Sequence, residues 1–393
     1  MDARRILLEL FDAALRAVDG RACVARFLGS NPVSRPVALF AIGKAACALS
    51  RGAFDALGDR IGSALVITKD GHVDPELARE TRCRIVESAH PVPDARSLAA
   101  GAELETRVRA LADDVLPLFL VSGGSSSLVE VLWPGTTLDE LRTLNERGLA
   151  AGLEIGELNR ERSRISALKA GGVARLLNGR DARALFISDV PGDDPEVIGS
   201  GLLGNGGGDD AVERHVIATI SDAMDAAVDA AHARGLVLAP RPRRFEGDAG
   251  EMATVYVSML RDTAVDGTIW GGEWTVTLPE RPGRGGRNTH FALAAARTLR
   301  PNEGLTILAA GTDGTDGPTE DAGAIVDSGT IERAELAGID VERAFREFDS
   351  GTALEASEDL VHTGPTGTNV GDILIGLRHS ATSVRDASRH RML

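Results

Sequence analysis

Lysine is nearly absent from this chain. Of its 43 basic residues only Lys44, Lys69 and Lys169 are lysines, and the other 40 are arginines. Lysine is normally among the commonest residues, so arginine fills the ordinary surface positions here, and a coding bias accounts for that. The three lysines all stand in or beside glycine-rich turns, where a compact ammonium on a flexible stem can reach a phosphate or a reacting oxygen. We therefore expect them to mark the chemistry of the protein.

The chain also has few cysteines, a negative rather than a positive net charge, and no long apolar run. Three cysteines without metal-binding spacing indicate buried thiols in a reducing compartment. A formal charge of −15 argues against a general nucleic-acid binder, which needs a basic face. No apolar run approaches the roughly 18–20 residues that span a bilayer. Residues 1–20 have the apolar spacing of a docking helix rather than a signal peptide. These patterns predict a cytoplasmic protein that binds neither nucleic acid nor membrane.

Short apolar runs alternate with helical stretches along the first part of the chain. The runs are Val37–Ile42, 64–68, Leu116–Val121 and 184–187, and each ends in a polar turn. Continuous buried strands that alternate with helices predict an α/β fold, a parallel sheet with helices on both faces. Ligands bind outside the carboxyl ends of the strands in such sheets, so the turns after these strands are candidate site segments.

The length of 393 residues suits two domains, and a Pro- and Arg-rich stretch at 239–244 suggests their boundary. We assign residues 1–240 to a Rossmann-like α/β domain, 241–378 to a smaller α/β domain with a mixed sheet, and 379–393 to a frayed tail. In the second domain the pattern predicts helices over Ala249–Arg261 and 288–299, strands over 268–270, 273–278 and 305–310, and an amphipathic helix over 370–377 that Asn369 caps.

Two serine-, threonine- and glycine-rich turns are candidate anion sites. The first follows a strand and consists of Ser122, Gly123, Gly124, Ser125 and Ser126. Free backbone N–H groups at such a helix start bind phosphate or carboxylate, although a serine-capped tight turn is the alternative. The second turn consists of Thr366, Gly367, Thr368 and Asn369, and it either holds another anion or serves only as a turn.

Charged residues on turns offer further candidates. Arg287 stands on a glycine loop before a helix, which suits phosphate recognition. Asp313 and Asp316 lie three residues apart after a strand, and Asp189 and Asp193 follow another strand. Such carboxylates can hold a hard cation or hydroxyl groups, but Asp and Gly also form ordinary turns. The sequence alone leaves both interpretations open.

A dinucleotide fingerprint is not convincing. The one GxGxxG pattern spans 199–204, but no clean buried strand precedes it and a Gly/Asp loop rather than a helix follows it. The fingerprint needs both elements around it.

Eight blocks together resemble a known family, the MOFRL-type glycerate kinases (class II D-glycerate 2-kinases), some of which are labelled hydroxypyruvate reductase. The resemblance covers roughly residues 5 to 378. In chain order the blocks are Lys69-Asp70-Gly71-His72, His90-Pro91-Val92-Pro93-Asp94, Val121-Ser122-Gly123-Gly124, Ser188-Asp189-Val190-x-Gly192-Asp193-Asp194, Gly271-Gly272-Glu273, Gly285-Gly286-Arg287-Asn288, Gly311-Thr312-Asp313-Gly314-x-Asp316-Gly317-Pro318-Thr319 and Thr363-Gly364-Pro365-Thr366-Gly367-Thr368-Asn369.

The resemblance implies ATP-dependent phosphorylation of D-glycerate to 2-phosphoglycerate with Mg²⁺, in an active-site cleft between two α/β domains. It makes Lys44 and Arg287 the catalytic cations at the transferred phosphoryl group, and it leaves a homodimer open. Asp189 is our candidate for the base or the metal ligand. The other expected roles are metal binding by Asp193, Asp313 and Asp316, substrate binding by Lys69, His72 and Glu273, and nucleotide or phosphate binding by the two polar turns (Ser122, Gly123, Gly124, Ser125, Ser126, Thr366, Gly367, Thr368, Asn369).

Three departures from the family pattern bear on the substrate. Residues 123–127 read Gly-Gly-Ser-Ser-Ser for the usual Gly-Gly-Gly-Ser-Ala, Trp274 interrupts the usual Gly-Glu-Thr-Thr, and Leu202-Leu203 replace Pro-Thr after Ser200-Gly201. The altered 201–210 loop leaves a related hydroxy acid open as the substrate. An NAD(P)H-dependent hydroxypyruvate reductase and a non-catalytic sensor of a small phosphorylated acid are the alternative functions.

Overall fold

The computed structural model describes residues 2–151, 155–205, 211–240 and 247–379. The chain divides into two compact units. The parallel-sheet unit comprises Val18–Thr219 and Gly367–Val370, and the mixed-sheet unit comprises Met1–Ala17, Ile220–Thr366 and Gly371–Leu393. Three predicted segments, the 204–210 loop, the 239–244 stretch and the 379–393 tail, lie partly outside the described residues.

The secondary structure alternates as the apolar pattern predicts. The strands are β1 Val37–Ile42, β2 Ile61–Lys69, β3 Cys83–Ser88, β4 Leu116–Val121, β5 Ala182–Ile187, β6 Val212–Ala218, β7 Leu238–Pro240, β8 Gly267–Gly272, β9 Leu305–Gly311, β10 Gly323–Asp327, β11 Leu360–Val361 and β12 Asp372–Arg378. The helices are α1 Ala3–Ala17, α2 Gly20–Ser30, α3 Ala46–Leu57, α4 Ala95–Arg109, α5 Ser125–Leu128, α6 Leu138–Ala151, α7 Ile155–Ile165, α8 Gly172–Leu176, α9 Ile220–His232, α10 Ala249–Arg261, α11 Arg287–Thr298, α12 Thr330–Leu336, α13 Val341–Arg346 and α14 Ser350–Ala356.

The first sheet has the Rossmann strand order, which confirms the predicted fold class of this unit. Its described strands run β3-β2-β1-β4-β5-β6, and every neighbouring pair is parallel. Central strands β1, β4 and β5 are buried almost throughout, because sheet neighbours and helices cover them. Phe40 and Phe119 stack at 5.1 Å between ring centroids in the core. The order changes direction between β1 and β4, the topological switch point at which such sheets bind ligands.

The second sheet is mixed, as predicted. Its described strands run β11-β10-β9-β12-β8-β7. Strands β7 and β8 are parallel, and the other neighbours are antiparallel. Helices α10 and α11 pack on a core that contains Tyr256, Trp270, Trp274 and Phe291. This aromatic cluster gives the unit a hydrophobic core of its own.

Two local predictions in the second half are wrong. Residues 273–278 form no strand in the described structure beyond one bridge between Asp248 and Thr275. The predicted helix over 370–377 is the strand β12 instead, which lies between β9 and β8 with nearly all its residues buried. The run is apolar on both faces because it is a central strand, and a short buried strand cannot be told from a buried helix by periodicity alone.

The compact units differ from the predicted boundary at residue 240. Helix α1 packs against α9 and β12 by burying Leu7, Leu10 and Phe11, so both α1 and α9 belong to the mixed-sheet unit. Arg4 also pairs with the buried Asp359 at 2.7 Å. The apolar face of α1 was visible in the sequence, but its partner lies more than 200 residues away. No helix in the described part of the chain is long and apolar enough to cross a bilayer.

Acid should destabilise the mixed-sheet unit through His290. Its ring is buried and stacks between Phe345 and Phe348, at centroid distances of 4.5 and 4.1 Å. Burial lowers the pKa of His290 to about 4. An unfolded histidine titrates near 6.5, so the unfolded chain binds more protons between these values. The free energy of unfolding should therefore fall by about 3 kcal/mol as the pH drops from above 6.5 to below 4.

The measurement is chemical unfolding across that pH range for the wild type and His290→Phe, which keeps the ring stack but cannot titrate. The variant should lose the part of the acid sensitivity that His290 causes. The exposed His232 on α9 provides the control substitution, His232→Asn, which should leave the pH dependence unchanged. An unaltered pH dependence in His290→Phe would contradict the assignment.

Candidate active site

The turns after β1 and β4 lock together at the carboxyl edge of the parallel sheet. The backbone N–H of Lys44 donates to the Gly123 carbonyl at 3.0 Å, and the N–H of Ser122 donates to the Ile42 carbonyl at 3.0 Å. Gly43 has a φ of +134°, and a Cβ there would overlap with Ser122. Only glycine lets the two turns approach this closely. Lys44 therefore stands at a fixed position beside the first polar turn.

The structure uses the Ser122 hydroxyl within the fold. This side chain is fully buried, and its Oγ accepts a hydrogen bond from the backbone N–H of Ala45 at 3.1 Å. That bond satisfies one of the free amide groups where α3 begins. The prediction that the Ser122 hydroxyl contacts an anion is therefore corrected, because this oxygen lies inside the protein.

Three of the predicted residues meet at Gly123. The Nδ2 of Asn369 donates to Oδ2 of Asp189 at 3.0 Å, and a Cβ at Gly123 would overlap with both side chains. Gly123, Asp189 and Asn369 come from three separate blocks of the sequence. The structure brings them together because β4 and β5 are neighbours in the sheet and residues 367–370 belong to the same unit.

Basic side chains gather around the next glycine. A Cβ at Gly124, which has a φ of +85°, would lie 3.1 Å from Cδ2 of His90 and 3.2 Å from Cγ of Lys44. The Nδ1 of His72 lies 3.3 Å from the backbone oxygen of Lys44. His72 and Lys44 thus lie close together, as the sequence suggested. His90 opens one of the family blocks, but the sequence assigned it no role in the site.

The remaining serines of the turn face a second loop. The helix that starts after Gly124, α5, is only a single turn. The Oγ of Ser126 lies 2.8 Å from Oγ of Ser200. Ser125 is buried against Gly199. Residues 199–201 all have positive φ angles, a strained backbone that is common at functional sites.

Lys169 lies beneath this turn and not in a ligand site. Its side chain is completely buried, and its Nζ donates to the carbonyls of Ser126 at 2.7 Å and Val129 at 3.1 Å. Nζ also lies 3.7 Å from Oε2 of the buried Glu130. Burial lowers the pKa of Lys169. The expectation that all three lysines mark the chemistry therefore fails here, since Lys169 holds the end of the Ser126 turn.

Lys69 and Asp193 occupy other strand ends of the same unit. Lys69 is the last residue of β2, the neighbour of β1, and its side chain is half-buried. Asp193 lies in a short turn after β5 with a φ of +54°.

Arg287 opens helix α11 in the mixed-sheet unit and is held by two carboxylates. Its Nε lies 2.6 Å from Oδ2 of Asp372, and its NH1 lies 2.6 Å from Oε1 of Glu273. Burial raises the pKa of Asp372 to about 6, and the Arg287 charge opposes that rise. Burial would lower the pKa of Arg287, but the charges of Asp372 and Glu273 raise it above its usual value. Glu273 and Arg287, both predicted site residues, are thus in direct contact.

The Asp316 carboxylate is occupied by the start of α11. Its Oδ1 accepts from the N–H of Asn288 at 2.9 Å, and its Oδ2 accepts from the N–H and the hydroxyl of Thr289 at 2.7 and 2.8 Å. Burial raises the pKa of Asp316, while the Thr289 and Asn288 hydrogen bonds oppose that rise. A buried carboxylate that caps a helix has little left to offer a metal. The assignment of Asp316 as a metal ligand is therefore corrected.

Asp313 and the second polar turn have mostly local partners. The Oδ1 of Asp313 accepts from the N–H of Thr315 at 3.0 Å. The hydroxyl of Thr366 donates to the Thr312 carbonyl at 2.5 Å. Gly367 accepts from the N–H of Gly20 at 3.2 Å, and Thr368 is buried. The second turn is thus built into the fold on both sides, with Thr366 in one unit and Gly367, Thr368 and Asn369 in the other.

Among the described residues, no three His, Cys, Asp or Glu side chains converge as a metal-binding group. A cation such as Mg²⁺ is commonly bound by one or two carboxylates together with substrate phosphates. Asp189 and Asp313 are the predicted ligands that fit that kind of site, because neither carboxylate is consumed by a helix start. These donors suit a metal that arrives with a phosphorylated ligand.

A Rossmann-ordered sheet with cationic, glycine-rich turns at its carboxyl edge is typical of α/β enzymes that bind small anionic ligands. Two family models match the chain. The MOFRL family matches residues 267–372, and a domain of unknown function, DUF4147, matches residues 6–237. The chain belongs to the MOFRL-type glycerate kinase family, a family of phosphotransferases.

Relatives match over nearly their full length. The D-glycerate 2-kinase of Thermotoga maritima is 32% identical, with 95% of this chain and 98% of that protein covered. A protein of Agrobacterium vitis named putative hydroxypyruvate reductase is 36% identical, with 95% and 94% covered. The crystal structure of glycerate kinase from Thermotoga maritima superposes with a TM-score of 0.81 at 32% identity, covering 95% of this chain and 99% of that chain.

Removal of the Lys169 charge should unfold the first polar turn. Lys169→Met takes away the buried ammonium that lies 3.7 Å from Glu130 and donates to two buried carbonyls, so we expect a loss of about 3–5 kcal/mol in the free energy of unfolding. Urea denaturation measures it. Lys169→Met combined with Glu130→Gln removes both charges and should recover part of the loss.

The control is the exposed pair between Arg164 and Glu161, which lies on the neighbouring helix α7. Arg164→Met should cost less than about 1 kcal/mol. A loss in Lys169→Met no larger than in this control would contradict the structural role of Lys169.

Proposed function

We propose that this protein phosphorylates D-glycerate at its 2-hydroxyl with ATP, giving 2-phosphoglycerate and ADP. The observation that carries the proposal is the position of Lys44, whose backbone N–H is held by the Gly123 carbonyl beside a turn in which Gly124 and Ser126 are half-buried. Relatives named glycerate 2-kinase at 31–32% identity over nearly the whole chain support the same activity.

Phosphoryl transfer needs positioning and charge stabilisation more than covalent chemistry. Lys44 and Arg287 are the cations that we assign to the transferred phosphoryl group, where negative charge spreads over the equatorial oxygens. Arg287 suits this role because its Nε edge is fixed by the buried Asp372, whereas NH1 pairs with Glu273, an exposed carboxylate that a phosphate oxygen can replace. The backbone of Gly124 and the hydroxyl of Ser126 would hold phosphate or the substrate carboxylate.

Asp189 is our candidate for the group that accepts the proton of the substrate hydroxyl. Its Oδ2 is oriented by Asn369 at 3.0 Å, and it packs over Gly123 near the turn that carries Lys44. An oriented carboxylate is a suitable base for an alcohol whose proton leaves during phosphoryl transfer. Lys69 and His72, both at the carboxyl end of β2, would contact the substrate.

Mg²⁺ fits this donor set as a metal bound mainly by nucleotide phosphates. Asp189 or Asp313 would supply the protein ligand, and Asp193 is a further candidate at the end of β5. When bound, such an ion neutralises the charge of the phosphate oxygens. Asp316 is excluded because its oxygens cap α11.

A reductase is the second candidate, since two relatives from Agrobacterium vitis are named putative hydroxypyruvate reductase, at 36% and 35% identity. The described residues give this candidate no dinucleotide fingerprint: 199–204 contain a short 3₁₀ turn and left-handed glycines, and the described segment 188–205 contains neither a strand nor an α-helix. A kinase for a related small hydroxy acid remains within the proposal, because the loop that departs from the family pattern borders Ser200.

The test is a product assay with ATP, Mg²⁺ and D-glycerate that separates 2-phosphoglycerate from 3-phosphoglycerate. We expect ADP and the 2-isomer in equal amounts. Oxidation of NADH by hydroxypyruvate without ADP release would replace the kinase with the reductase. Ligand-induced thermal stabilisation without turnover on a panel of hydroxy acids would indicate a non-catalytic sensor.

The two cations give a sharper prediction. Lys44→Ala and Arg287→Lys should each lower kcat by about 10²-fold or more, since each removes a charge or a bidentate geometry at the transferred group. Initial rates of ADP release measure the effect. The control is Arg297→Lys on the same helix, α11, because Arg297 forms an exposed pair with Glu342. Wild-type turnover in Lys44→Ala, with an unchanged melting temperature, would refute the role of Lys44.

A further inference from the structure

A buried hydrogen-bond chain ends at Arg287. The indole of Trp274 is buried in the mixed-sheet core, and its Nε1 donates to Oδ1 of Asn288 at 2.8 Å. The Nδ2 of Asn288 donates to Oδ1 of Asp372 at 2.9 Å. Asp372 in turn binds Arg287 through both of its oxygens, at 2.6 Å to Nε and 3.2 Å to NH2.

The orientation of the Asn288 amide follows from its two neighbours. An indole N–H can only donate, and an ionised carboxylate can only accept. The amide oxygen must therefore face Trp274, and the NH₂ group must face Asp372. A flipped amide would place two donors against each other and two acceptors against each other, which is costly for buried groups. Trp274 thus fixes the direction in which Asn288 donates.

Asp372 depends on this donor because it is almost fully buried. A buried carboxylate is stable only when its oxygens are paired and hydrogen-bonded. Arg287 and Asn288 both donate to Oδ1 of Asp372, and the Nε of Arg287 forms an ion pair with Oδ2. Loss of the Asn288 donor would leave Asp372 freer to rotate, and the planar guanidinium that it holds by two bonds would rotate with it.

We propose that Trp274 is a positioning residue for Arg287, acting through Asn288 and Asp372. This inference rests on the proposed function for its catalytic consequence, since Arg287 is there the cation at the transferred phosphoryl group. Trp274 also stands where the family pattern has threonine. In this chain an indole N–H therefore donates the first hydrogen bond of the chain that leads to Arg287. The neighbouring Trp270 provides the comparison, because its ring packs edge-on against Tyr256 in the same core, with the ring centroids 4.7 Å apart.

Four variants test the relay by kinetics. Trp274→Phe keeps an aromatic ring against Phe291, whose ring centroid lies 5.4 Å from that of Trp274, and removes the indole donor together with part of the ring volume. It should lower kcat about three- to tenfold, the range that one net hydrogen bond supplies, and leave KM within about twofold. Trp270→Phe is the matched control and should keep wild-type kcat. Asn288→Ala should lower kcat at least as much as Trp274→Phe.

The double variant Trp274→Phe with Asn288→Ala shows whether Trp274 affects kcat through its hydrogen bond to Asn288 or only through its packing in the core. If Trp274 acts through Asn288, its substitution adds no further loss to Asn288→Ala. Losses that multiply would overturn the relay, and so would wild-type kcat in Trp274→Phe. Melting temperatures of all variants show whether a loss of kcat merely follows from a loss of folded protein.

A second measurement needs no turnover. The three tryptophans give three indole ¹⁵N–H resonances, which Trp→Phe substitutions assign. Arg287→Lys should shift the Trp274 resonance and leave that of Trp133 unchanged. An unmoved Trp274 resonance in both Arg287→Lys and Asn288→Ala would overturn the proposal. Wild-type protein that does not phosphorylate D-glycerate would refute the proposed function. The indole resonances would still test whether Trp274 is coupled to Arg287, because they do not depend on activity.

Discussion

The candidate site depends on the close approach of two backbone turns at the carboxyl edge of the parallel sheet. Reciprocal hydrogen bonds join the turns after β1 and β4, and Gly43 has no side chain that would keep them apart. This contact fixes where Lys44 leaves the sheet. It also fixes the position of Gly123, against which the side chains of Asp189 and Asn369 pack. A larger residue at either glycine would move the turn and with it each of these side chains.

Each unit contains a buried ionisable group that supports its own candidate site residues. Lys169 holds the carbonyls of Ser126 and Val129 from inside the protein, and Asp372 holds Arg287 from inside β12. Neither group has solvent to satisfy it, so each is tied to its partners by the cost of leaving a buried charge unpaired. Rigid support of this kind keeps a cation in one orientation before any ligand arrives, which is what charge stabilisation in phosphoryl transfer requires.

The pattern of the sequence was a good guide to the elements and a poorer guide to individual side chains. The strands β1 and β4 and the helix α10 have the predicted bounds. In each case an apolar pattern ends at turn residues on both sides, and these residues mark where the element starts and stops. The segment at 370–377 was mistaken for a helix, since a short run that is buried on both faces has no period that separates the two structures. Ser122 and Asp316 were expected to bind ligands, yet both are used where a helix starts. Polar residues on glycine turns serve helix caps and ligands equally well, and only the neighbouring N–H groups distinguish the two roles.

The sequence by itself determined the α/β class, the strand ends that carry the polar turns, and the family, because these follow from local runs and ordered motifs. Only the tertiary structure decided which residues meet. It placed α1 with a helix more than 200 residues away, brought Asn369 onto Asp189, and linked Trp274 to Arg287 through Asn288 and Asp372. It also distinguished two of the lysines, since Lys44 is half-buried beside the first polar turn whereas the side chain of Lys169 is completely buried. Spacing along a chain does not encode burial or the pairing of distant strands, and those two properties determine whether a charged side chain faces a ligand or the interior.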